Sequence, residues 1–188
     1  SKQTMEDYAK KNAFQCIIAE SPEDAAHKAV ELIRRGEADI VMKGFLNTDV
    51  LLRAILDKEV GILPKDTVLT HITVAKLPEY PKLLFFTDAA VIPAPNDKQR
   101  RAQVQYIVDF CHAFEIECPK IALIHCSEKV DERHFPYTAS YRALKAESET
   151  GVFGKCTIDG PLDLITSCSV EAMKIKQINS PINGETDA

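Results

Sequence analysis

Runs of consecutive apolar residues alternate along this chain with segments whose apolar residues recur at helical spacing. The runs at residues 14–19 and 38–42 predict buried strands, because strands enclosed by helices are apolar on both faces. Between them we expect a helix that Ser21 caps and that Gly36 ends. The alternation of strand and helix favours an α/β fold.

The pattern changes in the middle of the chain. Residues 67–75 and 82–86 are rich in β-forming residues, and the proline-bearing turn between them predicts a hairpin. The proline-rich residues 93–97 then interrupt the periodicity, and we predict a domain boundary there. A first α/β domain would cover residues 1–95, and a second would cover residues 96–183. The remaining predicted elements are helices at residues 49–58, 98–114, 138–149 and 161–177, and strands at residues 120–125 and 155–158.

Composition and charge narrow the class of protein. The 188 residues are 45% hydrophobic and 27% charged, which is typical of a globular domain. The 23 basic and 28 acidic residues give a net charge of −5, so we expect no nucleic-acid partner. No apolar run reaches the roughly 18 residues of a membrane span, and the first residues do not resemble a signal peptide. We therefore expect a cytoplasmic protein that does not bind membranes.

The cysteine pattern argues against metal binding. The six cysteines are scattered without any Cys-x-x-Cys pair, which indicates free thiols in a reducing compartment. His125 and Cys126 are neighbours on a predicted strand, where adjacent side chains point to opposite faces. We therefore predict neither a metal site nor a nucleophilic role for Cys126.

A candidate anion site follows the second predicted strand. Gly44 would let the backbone approach an anion, Lys43 supplies a positive charge, and Thr48 supplies a hydroxyl at the start of a helix. Within residues 50–56 Arg53 is the only polar side chain, so we expect it to be buried beside an acid or an anionic ligand. Two structural alternatives stay open: a surface lysine beside an ordinary turn glycine, and an arginine that pairs with a fixed carboxylate or reaches out to solvent.

Three other predicted strands also end in polar tips, each of which contributes two candidate residues. They are Thr87 and Asp88, Ser127 and Glu128, and Gly160 and Pro161. Because ligands of open α/β sheets collect at the carboxyl ends of strands, these six residues are candidates for lining a cleft. Turn formation and helix capping would explain Asp88 and the Gly160–Pro161 pair equally well.

Five segments, taken in chain order, resemble the phosphate acetyltransferase and phosphate butyryltransferase family. They are residues 37–44 with Thr48 and Arg53, residues 86–95, residues 119–123 with Ser127 and Glu128, residues 159–162, and residues 180–188. The resemblance runs from about Phe14 to the last residue. The tripeptide Met42-Lys43-Gly44 makes the butyryl branch the more similar one.

The resemblance implies reversible acyl transfer between coenzyme A and inorganic phosphate, giving an acyl phosphate by direct attack in a ternary complex. Coenzyme A would be a substrate, and no cofactor is implied. The implied fold is that of the isocitrate and isopropylmalate dehydrogenases, with two α/β domains around a cleft, usually in a homodimer. The first domain would be incomplete in this chain, and residues 184–188 would return toward it. Lys43, Gly44 and Thr48 would bind phosphate, with Arg53 near the substrates.

Two departures from the family pattern keep other interpretations open. Ile165 stands where the family has an aspartate, and an acid occurs instead at Asp163. The family's serine, arginine and aspartate segment, which supplies the base, is not in this sequence, so the catalytic residues are unknown. One alternative is a non-catalytic module that binds acyl phosphate or coenzyme A. The other is a metal-dependent decarboxylating dehydrogenase, for which Asp88, Asp159 and Asp163 would be the metal ligands.

Overall fold

The computed structural model describes the backbone of residues 2–188 and the side chains of residues 3–188. The chain forms two compact units: unit 1 extends to Thr67, and unit 2 is Val68–Ala188. The contacts therefore divide this chain at a different place from the boundary predicted near residue 95. The assignment of residues 1–95 and 96–183 to two domains stays a prediction.

Unit 1 is built from helices. They are α1 (Lys2–Lys11), α2 (Pro22–Arg34) and α3 (Thr48–Leu56). The predicted start of α2 is confirmed, because the Ser21 hydroxyl accepts a hydrogen bond from the Asp24 amide at 3.1 Å. A small core of Ala26, Val30 and Ala54 holds α2 against α3.

The two strands predicted in unit 1 are wrong. Residues 14–19 and 38–42 are irregular, and the described part of unit 1 contains no strand. Ile40 and Met42 are exposed, as is Phe45 in the turn that follows. A strand requires a neighbouring strand for its backbone N–H and C=O groups, and an apolar run in the sequence does not supply that neighbour.

Unit 2 contains the strands. Its elements are β1 (Thr73–Lys76), β2 (Leu83–Phe86), α4 (Asp97–Ala113), β3 (Lys120–Ile124), α5 (Thr138–Glu149), β4 (Thr157–Leu162), α6 (Leu164–Cys168) and α7 (Val170–Lys176). β1 and β2 pair antiparallel, which confirms the predicted hairpin. β3 and β4 pair parallel, with α5 in the connection between them. The single helix predicted for residues 161–177 is wrong, because β4 continues through Leu162 and two short helices follow.

The last residues join the two sheets of unit 2. The Asp187 carbonyl accepts from the Phe85 amide of β2 at 2.9 Å, and the Asp187 amide donates to the Lys120 carbonyl of β3 at 2.8 Å. The Ala122 amide donates to the Ala188 carbonyl at 2.7 Å. The residues expected to return toward a first domain therefore run between β2 and β3. The Asp187 carboxylate also accepts from Lys82 Nζ at 2.5 Å.

The core of unit 2 lies between α4, α5 and the strands. Its buried residues include Phe85, Val108, Ile121, Leu144, Phe153 and Ile158. An α/β order of elements is present, but the predicted two-domain dehydrogenase-like architecture is wrong, because the described residues form two two-stranded sheets that both belong to unit 2. Across residues 2–188, no helix has the length and apolar character that a membrane span requires.

Candidate functional site

A cavity of about 620 Å³ lies beside the carboxyl ends of β2 and β3 in unit 2. This volume is typical of small-molecule sites, which measure roughly 300–1,000 Å³. The apolar part of its wall includes Ile92, Pro93, Val104, Ile107, Ile121 and Leu123, and its polar side chains are Thr87, Asp88, Arg100, Gln103, Tyr137 and Tyr141. Two of the six predicted cleft residues, Thr87 and Asp88, line this cavity. The other four lie outside its lining.

Asp88 fixes the turn that follows β2. Its Oδ1 accepts from the amides of Ala90 and Val91 at 2.9 and 2.8 Å, and its Oδ2 accepts from Thr70 Oγ1 and the His71 amide at 2.8 and 3.1 Å. Burial raises the pKa of this carboxyl, but the four hydrogen bonds outweigh burial and lower the pKa to about 2. Asp88 therefore places a fixed negative charge at the edge of the cavity.

Two residues of α4 that the sequence analysis did not single out face the cavity. The buried Arg100 donates to the Pro95 carbonyl at 2.9 Å and to Asp97 Oδ1 at 3.2 Å. Its guanidinium lies 5.6 Å from the centre of the Tyr137 ring. Gln103, one turn further along α4, is only 6% exposed. The sequence contains a signal for both, because their three-residue spacing puts them on the face of α4 that also carries the apolar Val104 and Ile107.

His125 follows β3 and supports the aromatic wall of the cavity. Its Nδ1 lies 2.8 Å from the Tyr137 hydroxyl, and the Tyr141 hydroxyl donates to the Ile124 carbonyl at 2.9 Å. Cys126 Sγ lies 3.6 Å from His125 Nε2, so the prediction that these two side chains point apart is wrong. β3 ends at Ile124, and the alternation of a strand no longer applies to the two residues after it.

Glu128 belongs to an ion-pair network outside the cavity, and Ser127 beside it is half-buried. Glu128 Oε1 accepts from Lys176 Nζ at 2.6 Å, and the same ammonium group bonds the Asp163 carboxylate. Asp163 also caps α6 by accepting from the Thr166 amide at 3.0 Å. Burial raises the pKa of Asp163, but its hydrogen bonds with Glu128, Lys176 and Thr166 lower it well below the usual range. This network ties the segment after β3 to α6 and α7.

Gly160 and Pro161 lie within β4 and pack against β3. A Cβ placed on Gly160, whose φ is +152°, would lie 2.5 Å from the Leu123 carbonyl oxygen. Pro161 is buried. The glycine is thus required for close approach of the two strands, whichever ligand the sheet edge binds.

The candidate anion site of unit 1 is exposed. Lys43 Nζ donates to the carbonyls of Leu46 and Gly44 at 2.8 and 3.3 Å, and Thr48 is the first residue of α3. The predicted burial of Arg53 is wrong: its side chain is 83% exposed and lies 3.5 Å from Asp49 on the same helix. One face of α3 packs on α2, which leaves the face that carries Arg53 open.

The aspartates that a dehydrogenase would need for a metal ion are engaged separately. Asp159 accepts from Lys145 Nζ at 2.6 Å and from the Ser180 hydroxyl at 2.5 Å. Asp88 binds the amides of the turn after β2. Asp163 belongs to the ion-pair network with Lys176. Within the described part of the chain, no three or more His, Cys, Asp or Glu side chains are grouped as metal ligands.

Comparison with known proteins identifies close similarities across the chain. The family described as "Phosphate acetyl/butaryl transferase" matches residues 2–188. The phosphate butyryltransferase of Clostridium acetobutylicum is 37% identical over 176 residues, and the phosphate acetyltransferase of Thermotoga maritima is 31% identical over 171 residues. These alignments cover 94% and 91% of this chain but 58% of each relative, so the chain spans about three fifths of their length.

Solved structures agree with the sequence comparison. A branched-chain phosphotransacylase from Enterococcus faecalis V583 superposes with a TM-score of 0.81 at 27% identity, covering 94% of this chain and 62% of that one. The EutD phosphotransacetylase from Staphylococcus aureus has the same fold at a TM-score of 0.63 and 14% identity, covering 87% of this chain and 49% of that one. The predicted dehydrogenase-like architecture is thus replaced by that of the phosphotransacylases. The match over residues 2–188 shows that this chain belongs to the phosphate acetyl/butaryl transferase family.

Proposed function

We propose that this chain transfers an acyl group, butyryl or acetyl, between coenzyme A and inorganic phosphate. The observation that carries the proposal is the family match over residues 2–188, together with relatives named phosphate butyryltransferase and phosphate acetyltransferase. A phosphate oxygen attacks the thioester carbonyl, the C–S bond breaks, and a C–O bond to phosphate forms. The products are an acyl phosphate and the coenzyme A thiol, which takes the proton that phosphate gives up.

The turn before α3 is the proposed phosphate site. The first amides of a helix attract anions. Asn47 occupies the N-cap position of α3, but its side chain accepts no hydrogen bond from these amides. Lys43 contributes an ammonium group and Thr48 a hydroxyl, while Gly44 has nothing within 4 Å of the position that a Cβ would take. Arg53 is accessible and has a loose, exposed partner in Asp49, so its guanidinium can bind a dianion.

The strand ends of unit 2 are the proposed cleft residues. Thr87 and Asp88 line the cavity, which supports direct contact with the coenzyme A substrate. We propose that four further residues shape the ends of β3 and β4. They are Ser127, Glu128, Gly160 and Pro161. No cofactor enters this scheme, because coenzyme A itself carries the acyl group.

We further propose that the protein acts in the cytoplasm as a homodimer. The exposed apolar side chains of Ile40, Met42 and Phe45 support self-association, since exposed apolar patches of this kind mark interaction surfaces. Light scattering on the purified chain should give twice the mass of one chain, and a monomer at micromolar concentration would contradict the proposal.

Release of coenzyme A from butyryl-CoA, measured with and without phosphate, tests the proposed reaction. We expect release to depend on phosphate and Lys43→Ala to raise the KM for phosphate by about tenfold or more, because one charge-assisted contact is lost. Lys10→Ala, at another exposed lysine of unit 1, is the matched control and should leave that KM unchanged. Binding without turnover would favour the non-catalytic module, and equal effects of both variants would contradict a phosphate site at Lys43.

A further inference from the structure

Cys126 and His125 form a thiol–imidazole pair just after β3. Cys126 is exposed, whereas His125 is only 5% exposed. The Cys126 Sγ lies 3.6 Å from His125 Nε2 and 3.9 Å from its Nδ1. The sequence argument against a nucleophilic Cys126 assumed that the two side chains point apart, and this contact removes that assumption. Reactive cysteines combine access to solvent with a neighbouring imidazole, because the thiolate is the nucleophile and the imidazole takes up its proton.

Two aromatic side chains hold the imidazole of His125 in place. The Tyr137 hydroxyl lies 2.8 Å from Nδ1. When Nδ1 donates to the hydroxyl oxygen, the lone pair of Nε2 is left to accept the thiol proton. The Phe135 ring packs edge-on against the imidazole, with 4.7 Å between the ring centres. The group therefore contains a nucleophile (Cys126), a base (His125) and a residue that orients the base (Tyr137).

Two other cysteines of unit 2 lack this arrangement. Cys118 is also exposed, but its Sγ lies 3.8 Å from the Thr157 hydroxyl, which does not act as a base at neutral pH. Cys111 is fully buried, and burial raises the pKa of its thiol to about 12. Cys118 therefore serves as a control for exposure alone, and Cys111 as a control for the folded state.

We propose that Cys126 is a modification site that forms mixed disulfides with small aliphatic disulfides. The thiol proton passes to His125 Nε2, and the thiolate attacks one sulfur of the disulfide. A new S–S bond to Cys126 forms as the S–S bond of the disulfide breaks, and the departing thiolate takes the proton from the imidazolium. The sulfur of Cys126 is thereby oxidised, and the departing sulfur is reduced to a thiol. Cys126 lies outside the lining of the unit 2 cavity, so the proposal does not depend on the proposed acyl transfer.

Exchange of the reduced full chain with hydroxyethyl disulfide, followed by peptide mass spectrometry, tests the proposal. This probe is uncharged, so local charges do not decide which thiol reacts. At neutral pH we expect Cys126 to form the mixed disulfide about tenfold faster than Cys118 in the same molecules. Cys111 should stay unmodified while the chain is folded. Equal rates at Cys126 and Cys118 in the unaltered chain would overturn the proposal without any variant.

Two variants test the role of the base. His125→Gln should slow the modification of Cys126 by about tenfold and leave the rate at Cys118 unchanged, because only Cys126 loses its proton acceptor. Tyr137→Phe removes a single hydroxyl and should slow Cys126 by about threefold, since the imidazole is less well oriented. This second variant decides the question if modification of Cys111 shows that His125→Gln has unfolded. An unchanged rate at Cys126 in the folded variants would overturn the proposal.

The matched control is His134→Gln, in the same loop. His134 is exposed, and its Nδ1 lies 2.8 Å from Asp131. Its replacement removes a histidine that does not contact Cys126, so the rate at Cys126 should stay within about twofold of the unaltered chain. Equal slowing of Cys126 by His134→Gln and His125→Gln would contradict a specific role for the His125 imidazole.

Discussion

The carboxylate of Asp88 shows how one side chain can organise the end of a strand. Each of its oxygens accepts two hydrogen bonds, from the turn that follows and from Thr70 and His71. Asp88, which the sequence indicates as a cleft residue, therefore also stabilises the turn after β2. The edge of the cavity keeps its shape because this residue is ionised.

Replacing Asp88 with asparagine should lower the free energy of unfolding by about 1–3 kcal/mol at neutral pH, because the amide cannot accept on both sides. The pKa of Asp88 is lowered from 3.8 to about 2 in the folded chain. Its stabilising contribution is thus present above about pH 4 and is lost as the pH falls toward 2. Urea titrations from pH 7 to pH 2 should show the difference between the two proteins shrinking over that interval. Asp109→Asn, on the surface of α4, should show no comparable change.

The residues of the site differ in how well their positions can be predicted from the sequence. Thr87 and Asp88 could be predicted, because polar residues at the end of an apolar strand are unusual. The burial of Arg53 was predicted wrongly, because the apolar composition of α3 does not reveal that only one of its faces is covered. Arg100 and Gln103 were missed because a long helix contains many polar residues, although their spacing places both on the apolar face of α4.

At the scale of elements, the contact between β3 and β4 requires a residue without a side chain at position 160. Gly160 approaches Leu123 so closely that a Cβ would lie 2.7 Å from the Leu123 Cβ as well as 2.5 Å from its carbonyl oxygen. The neighbouring atoms are backbone and strand side-chain atoms, which cannot move aside independently. The parallel pair is therefore intolerant of any larger residue here.

Gly160→Ala should lower the free energy of unfolding of unit 2 by at least about 2 kcal/mol, because overpacking forces the two strands apart. Chemical denaturation followed by far-UV circular dichroism measures the change. Gly44→Ala is the matched control, with nothing within 4 Å of its added carbon, and should cost less than about 0.5 kcal/mol. Equal losses in the two variants would show that the close approach to Leu123 is not what matters.

Elements with local signals were the predictable ones. α2 has a serine cap, a first-turn proline and acidic residues, all within a few positions of its start, and the predicted bounds of α5 match the structure. The strands of unit 1 were predicted from apolar runs alone, but pairing depends on residues that are distant in the sequence. The continuation of β4 through Pro161 was also missed, because a proline there suggests the first turn of a helix.

For the molecule as a whole, the two units differ in how far hydrogen bonding and burial protect their backbones. Unit 2 has paired strands under a buried core, whereas unit 1 has a small helical core and two irregular apolar segments. Hydrogen exchange followed by mass spectrometry should therefore find residues 38–42 exchanging within about tenfold of the unfolded rate. Residues 120–124 should exchange far more slowly. Protection of both segments to the same degree would contradict this division.

The position of residues 186–188 between β2 and β3 has a consequence for biosynthesis. The Tyr80 hydroxyl donates to the Thr186 carbonyl at 2.5 Å, across 106 positions of the chain. The sheets of unit 2 cannot be joined on the ribosome until these late residues have left the exit tunnel. Until then β2 and β3 expose open edges to solvent. A nascent chain stalled before residue 185 should accordingly recruit chaperones, whereas the released chain of 188 residues should not.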